Sequence, residues 1–179
     1  MGQDKLLLRL PDGSRLVDRP AAALRSVCGE LRIVGRALEG LEDFAQLADA
    51  AGAAGPIAGL LAALESARTP WVLVAAGDMP ELHAGLLRAL QDEAERDAAV
   101  ALIPDGPQGL EPLCAAYPAA LAAAVRARVQ AGASAAVDAL AARQRRSWPY
   151  EQAQAAARLS APFLSLNSPS DWVAYAGRR

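Results

Sequence analysis

Thr69-Pro70-Trp71-Val72-Leu73-Val74-Ala75-Ala76-Gly77-Asp78-Met79-Pro80 is the stretch on which the fold turns. Its first half, Trp71 to Ala76, is an unbroken apolar run containing the β-branched Val72 and Val74. Pro70 stands before the run, and Gly77 and Pro80 stand after it. A short apolar run between breakers predicts a strand buried on both faces. Such strands belong to α/β domains, where helices cover both sides of a parallel sheet. Asp78 follows the strand directly. Ligands of open α/β sheets bind beyond the carboxyl ends of the strands, so Asp78 is a candidate metal ligand. A second reading competes on position alone: Asp is a favoured N-cap, and a helix is expected from about Pro80.

The flanks carry helical spacing. Upstream, Ile57, Leu60, Leu61 and Leu64 fall on one helical face and predict a helix to about Arg68. Downstream, Leu82, Leu86 and Leu90 lie one turn apart and predict a helix over 81–96. Further helices are expected over 18–28, with Asp18 as its cap, and over 40–51, 119–131 and 134–143, with a terminal one opening at Asn167. Strands are expected at 30–35, 99–103, 112–117, 147–150 and 162–166. Pro112 argues against a central position for the start of the strand that it opens. Strands alternating with helices predict one α/β domain over residues 1–179 with a mostly parallel sheet.

Composition excludes several function classes. A chain of 179 residues is long enough to bury a substantial core. Net charge is −2, from 18 basic and 20 acidic residues, which argues against wholesale binding to nucleic acid or an anionic membrane. No stretch reaches the length of a membrane helix, and the amino terminus lacks the apolar core of a signal peptide. Cys28 and Cys114 lie far apart and fit neither a zinc pattern nor a disulfide framework. A reduced, cytoplasmic setting is the simplest fit. The single histidine, His83, has no partner at ligand spacing and reads as a surface residue at a helix start.

Four short patterns stand in order along the chain: Met1-Gly2-Gln3-Asp4-Lys5, then Asp49 followed by Gly55-Pro56-Ile57-Ala58-Gly59, then Gly77-Asp78-Met79-Pro80, then Leu166-Asn167-Ser168-Pro169-Ser170-Asp171-Trp172. Together they resemble the molybdenum cofactor guanylyltransferases and related molybdopterin nucleotidyltransferases. The resemblance implies a Rossmann-like three-layer nucleotidyltransferase fold, with GTP and molybdopterin as substrates and Mg²⁺ as cofactor. It also implies transient contact with proteins of molybdenum insertion or molybdoenzyme maturation. By position, Lys5 resembles the lysine that reaches the nucleotide phosphates, where a point countercharge suits phosphoryl chemistry. Asp78 resembles the aspartate that holds Mg²⁺, an ion that needs only one or two carboxylates beside phosphate oxygens and water. Asp49 matches an aspartate of the nucleotide site, where it would accept hydrogen bonds from guanine N1–H and the 2-amino group; the alternative is an exposed helix residue. Gly55 matches a turn bordering the nucleotide, and backbone freedom accounts for it equally well. Asn167 is expected to cap the last helix; the alternative is a place close to the metal or the pterin substrate.

The chain departs from that family at two places. The family's first strand and its Gly-Gly phosphate loop precede the Met-Gly-x-Asp-Lys pattern, and here Met1 opens that pattern. Absence of the first strand would leave a gap between the strands at 31–34 and 71–76, or force the two to pair. Gly35 also stands where several relatives carry an asparagine that helps to hold the nucleotide, so base specificity stays open. The resulting expectation is a Mg²⁺-dependent transfer of GMP from GTP to molybdopterin with release of pyrophosphate. Its rivals are a CTP-dependent relative, one acting on another phosphorylated acceptor, and a non-catalytic protein with the same fold.

Overall fold

The structure is a computed structural model that describes residues 4–177. In chain order the elements are α1 (Asp18–Arg25), β1 (Arg32–Val34), β2 (Ala45–Leu47), α2 (Pro56–Glu65), β3 (Trp71–Ala75), α3 (Ala84–Ala94), β4 (Ala101–Gly106), β5 (Gly109–Leu110), β6 (Cys114–Pro118), α4 (Ala122–Gln130), β7 (Arg145–Trp148), α5 (Tyr150–Ala157) and α6 (Pro169–Ala176). Short 3-10 turns at Lys5–Leu7, Ala119–Leu121, Ala136–Asp138 and Ala142–Gln144 complete them.

Among the described residues the strands form two sheets. One has five strands, in the order β3-β6-β4-β5 with β7 also on β4, and the other contains only β1 and β2. β6 is antiparallel to both β3 and β4, so β3 and β4 run the same way, and β7 is parallel to β4. β1 and β2 are parallel. The expected α/β architecture is present, but its sheet is mixed rather than mostly parallel, because an antiparallel strand is inserted at the centre of the larger sheet.

That central strand is β6, buried along its whole length. Its side chains alternate between faces, as the strand period requires. Ala115 and Tyr117 pack with Ile57 and Leu61 of α2 and Val125 of α4. Cys114 and Ala116 pack with Leu86 and Leu90 of α3 and Ala153 of α5. Helices therefore cover both faces in three layers. Pro112, which argued against a central strand, lies outside β6, where its carbonyl accepts a hydrogen bond of 2.7 Å from the buried Tyr117 hydroxyl.

β3 also divides its side chains between the two helical layers: Val72 and Val74 face one, and Trp71, Leu73 and Ala75 the other. Its residues are only half-buried, contrary to the expected full burial. The cause is its open edge. Among the described residues β3 pairs with β6 on one side and with no strand on the other, and β1 does not join it. A cavity of about 680 Å³ separates β1 from β3. Of the two expected outcomes, a gap or a pairing, the structure has the gap.

Other expectations also change. Residues 40–51 do not form a helix. Gly40 takes φ +78°, turns bury Leu41 and Phe44 against α1, and β2 follows. Residues 134–143 form two 3-10 turns, because the Ser134 carbonyl is held by the Ile57 N–H at the start of α2. Residues 162–166 form no strand; Leu166 instead donates to the Asp78 carbonyl at 3.0 Å. Asp18 lies inside α1 and pairs with Arg15 rather than capping the helix. No helix among the described residues is long and apolar enough to cross a membrane.

His83 is half-buried and is itself the N-cap of α3. Its Nδ1 accepts from the N–H groups of Gly85 (3.0 Å) and Leu86 (3.4 Å). These bonds leave Nε2 as the protonated nitrogen, which donates to the Ala157 carbonyl at 2.8 Å and ties α3 to α5. His83→Ala is expected to lower unfolding free energy by about 1 kcal/mol through the lost cap. His83→Asn is expected to recover most of it, and urea midpoints check both.

Candidate active site

The site begins at the tip of β3. Gly77 permits a close approach by the amino-terminal turn: a Cβ on Gly77 would stand 3.2 Å from Leu6 Cδ2. That turn is started by Asp4, whose Oδ1 accepts from the Leu6 N–H at 3.1 Å. It is tied down through Leu6 and Leu8, whose carbonyls accept from the N–H groups of Val17 (3.1 Å) and Leu16 (2.9 Å). Asp4 also pairs with Arg36, just beyond β1. Lys5 is thereby directed at Asp78, with its Nζ 2.7 Å from Asp78 Oδ2.

Lys5 donates a second hydrogen bond, of 3.0 Å, to Asn167 Oδ1. Asn167 does not cap α6. Ser168 does, in a capping box with Asp171: the Ser168 hydroxyl accepts from the Asp171 N–H, and Asp171 Oδ2 accepts from the Ser168 N–H at 2.7 Å. Asp171 Oδ2 also accepts from the Asn167 N–H at 2.9 Å. The bonds to Ser168 and to the Asn167 N–H hold the Asp171 carboxyl below the usual carboxylate range. The cap thus fixes Asn167 while leaving its side chain free for Lys5. The signal in the sequence was Ser168 directly before Pro169 with Asp171 three residues on, which marks Ser168 as the cap.

Asp78 does not cap a helix either, since α3 starts at Ala84 under His83. Its side chain is only 14% exposed. Oδ1 is buried with no hydrogen-bond partner among the described residues. Such an oxygen costs about 1–3 kcal/mol unless something satisfies it. Asp78 lines a cavity of about 510 Å³ together with Gly55, Met79, Glu111, Ser134 and Asn167. Burial pushes the Glu111 carboxyl up, and nothing in the sequence marked Glu111 as part of this wall. No cluster of three or more His, Cys, Asp and Glu side chains among the described residues is arranged to hold a metal ion. One unpartnered carboxylate oxygen suits an ion that takes most of its ligands from phosphates and water.

Gly55 reaches the same cavity at the start of α2, with φ +71° and ψ −168°. A Cβ there would stand 2.8 Å from the Ser134 carbonyl oxygen. Asp49 stands elsewhere. It is exposed in the loop after β2, with Oδ1 3.8 Å from where a Cβ on Gly59 would lie, and it is not among the residues lining the cavity. The structure therefore gathers Lys5, Asp78, Gly55 and Asn167 but leaves Asp49 apart. Met1, Gly2 and Gln3 of the first motif lie outside the described residues.

Residues 1–147 match the MobA-like NTP transferase domain. The chain belongs to this family. A probable molybdenum cofactor guanylyltransferase of Pelotomaculum thermopropionicum is 31% identical over 97% of the chain and 84% of its own length. One of Opitutus terrae is 34% identical over 74% of the chain and 67% of its own. Two further relatives are matched over only 58% and 39% of their lengths. The crystal structure of molybdopterin-guanine dinucleotide biosynthesis protein A from Archaeoglobus fulgidus superposes with a TM-score of 0.79 at 25% identity, covering 98% of this chain and 90% of that one. The MobA-like chain thus has the α/β nucleotidyltransferase fold that its motifs implied.

Proposed function

We propose that this chain transfers GMP from GTP to the phosphate of molybdopterin with release of pyrophosphate. The observation that carries the reading is Asp78 at the tip of β3, with one oxygen paired to Lys5 and the other buried without a partner beside a cavity. The names of the relatives point to the same reaction.

In this reading the acceptor phosphate oxygen forms a bond to the α-phosphorus of GTP, and the bond to the bridging oxygen of pyrophosphate breaks. The acceptor is already ionised at neutral pH, so no general base is needed. Catalysis then rests on positioning and charge neutralisation. Lys5 supplies a point countercharge to the triphosphate and exchanges its pairing with Asp78 for phosphate oxygens as the substrate enters. Asn167 orients Lys5 from the far end of the chain. Asp78 would hold Mg²⁺ through its free oxygen, and the ion would supply neutralisation of phosphate charge there. Gly55 keeps side-chain bulk off the cavity wall. Pyrophosphate release measured across the four NTPs with molybdopterin tests the proposal. Release with GTP supports it, and no turnover by folded protein with any NTP would make this a non-catalytic member of the family.

The position of Asp49 favours keeping CTP as a second donor, since no carboxylate of Asp49 lines the cavity to read guanine. If Asp49 does reach the base, Asp49→Ala weakens GTP binding more than CTP binding in a calorimetric titration. Equal losses discard the role.

A further inference from the structure

The wall of the cavity beside Asp78 carries a second carboxylate that the transfer chemistry leaves unused. Glu111 stands between β5 and β6 with its backbone pinned: its N–H donates to the Pro104 carbonyl at 2.9 Å, and its carbonyl accepts from the Cys114 N–H at 3.0 Å. Its side chain is half-buried, and no hydrogen bond or ion pair among the described residues engages its carboxylate. Gly106 makes room for that carboxylate: a Cβ there would stand 2.8 Å from both Cγ and Cδ of Glu111. The group is thus lodged against bare backbone at the end of β4, and it lines the cavity. Among the described residues no lysine, arginine or histidine lines that cavity with it. Phosphate charge suits the Lys5 side of Asp78 and is repelled by Glu111. An uncharged ring bearing N–H donors suits Glu111 instead. Pro112, Leu113 and Val137 also line the cavity, and Val137 is 41% exposed, an apolar surface for a planar ring to cover. The volume of about 510 Å³ falls within the usual range of small-molecule sites.

We propose that Glu111 is a specificity-determining residue whose carboxylate accepts two hydrogen bonds from a 2-amino-4-oxo-pyrimidine ring, one from the ring N–H and one from the adjacent amino group. Guanine and pterin share that edge. The inference deepens the transfer reading and rests on it, since the donor and the acceptor of that reaction each carry such a ring. A carboxylate offers two acceptors and no donor, which matches two neighbouring N–H groups and rejects a ring that presents an oxygen there. Discrimination of this kind is large because a mismatched ligand leaves buried polar groups unpaired. Asp49, which the motif suggested for this task, is absent from the cavity wall, whereas Glu111 is part of it.

Two pairs of ligands test it by equilibrium titration. Pterin against lumazine, which has a carbonyl in place of the 2-amino group, probes the acceptor ring. GTP against ITP, which lacks the 2-amino group, probes the donor ring in the presence of Mg²⁺. The parent protein is expected to prefer the amino form about tenfold in the pair that Glu111 serves. In Glu111→Gln that preference is expected to fall to about twofold or less, because a carboxamide turns an N–H₂ toward the donors of the ligand. Gly106→Ala, which displaces the carboxylate, should lose the preference as well. A merely structural role would weaken both members of a pair equally and keep their ratio. Loss of the ratio with pterin assigns Glu111 to the acceptor, and loss with GTP assigns it to the donor. Ratios unchanged by Glu111→Gln in both pairs would overturn the inference, as would a parent that binds the ligands without preference. Loss of Mn²⁺ binding in Glu111→Gln would make the residue a cation ligand and overturn it too. The transfer reading fails separately. Pyrophosphate release by the parent with unchanged ratios in Glu111→Gln leaves transfer standing alone, and a preference that depends on Glu111 without any release leaves ring recognition standing alone.

Discussion

Asp78→Asn is expected to lower pyrophosphate release from GTP by about 10³-fold while leaving the urea midpoint nearly unchanged. The two halves of the result have one cause. Asparagine keeps an oxygen for Lys5, now 2.7 Å from Asp78 Oδ2, so the amino-terminal turn stays attached. What disappears is the second oxygen, which has no hydrogen-bond partner among the described residues. Exchanging one unpartnered buried polar atom for another changes the stability of a fold little. With Asp78 holding the cation as proposed, the same change would replace its ligand oxygen with an amide N–H₂ that repels the cation. Removing one preorganised electrostatic group costs about 10²–10³ in turnover, and a metal contributes several kcal/mol. Paramagnetic Mn²⁺ binding in the presence of GTP gives an independent readout, which should be lost in Asp78→Asn. Activity within threefold of the parent would remove Asp78 from the mechanism.

The parts of this site that could be read in the sequence are those set by local order. Asp78 follows an apolar run between breakers, and the position of a loop carboxylate after such a strand needs no tertiary knowledge. Lys5 was legible only through its motif. By composition alone it is a terminal lysine, and what brings it to the candidate site is Asp78, 73 positions away. Asn167 is 162 positions from Lys5, and its role emerges only when Ser168 takes over the cap. Ser134 and Glu111 reach the cavity through pairing of α2 with a later turn and through the β4–β5 hairpin, which no spacing rule reports. The fold follows the same division. Alternation of Val72 and Val74 against Leu73 and Ala75 announces a strand covered on both sides, but not that its neighbour is the antiparallel β6. A helix was expected over 40–51, but Gly40, at φ +78°, opens turns there and β2 follows.

Gly55→Ala is expected to be the most damaging single-methyl change in the chain, lowering unfolding free energy by about 3 kcal/mol. Two effects add. At φ +71° and ψ −168° the backbone occupies a region that is essentially reserved for glycine and costs other residues about 1–3 kcal/mol. The added Cβ would also stand 2.8 Å from the Ser134 carbonyl oxygen, a backbone atom with no rotamer to escape into. Relief requires the 134–136 segment to retreat. That breaks the bond from the Ile57 N–H to the Ser134 carbonyl and loosens the turn that buries Ala136. Gly52 supplies the control. It also has a positive φ, +74°, but a Cβ there meets nothing within 4 Å. Gly52→Ala should therefore show only the backbone cost, about 1 kcal/mol. Urea titrations of both variants separate strain from collision, and equal losses would mean that the Ser134 contact contributes nothing. Because Gly55 and Ser134 both line the cavity beside Asp78, the retreat should also weaken nucleotide binding. Gly52→Ala, at the far side of that loop, should leave binding unchanged.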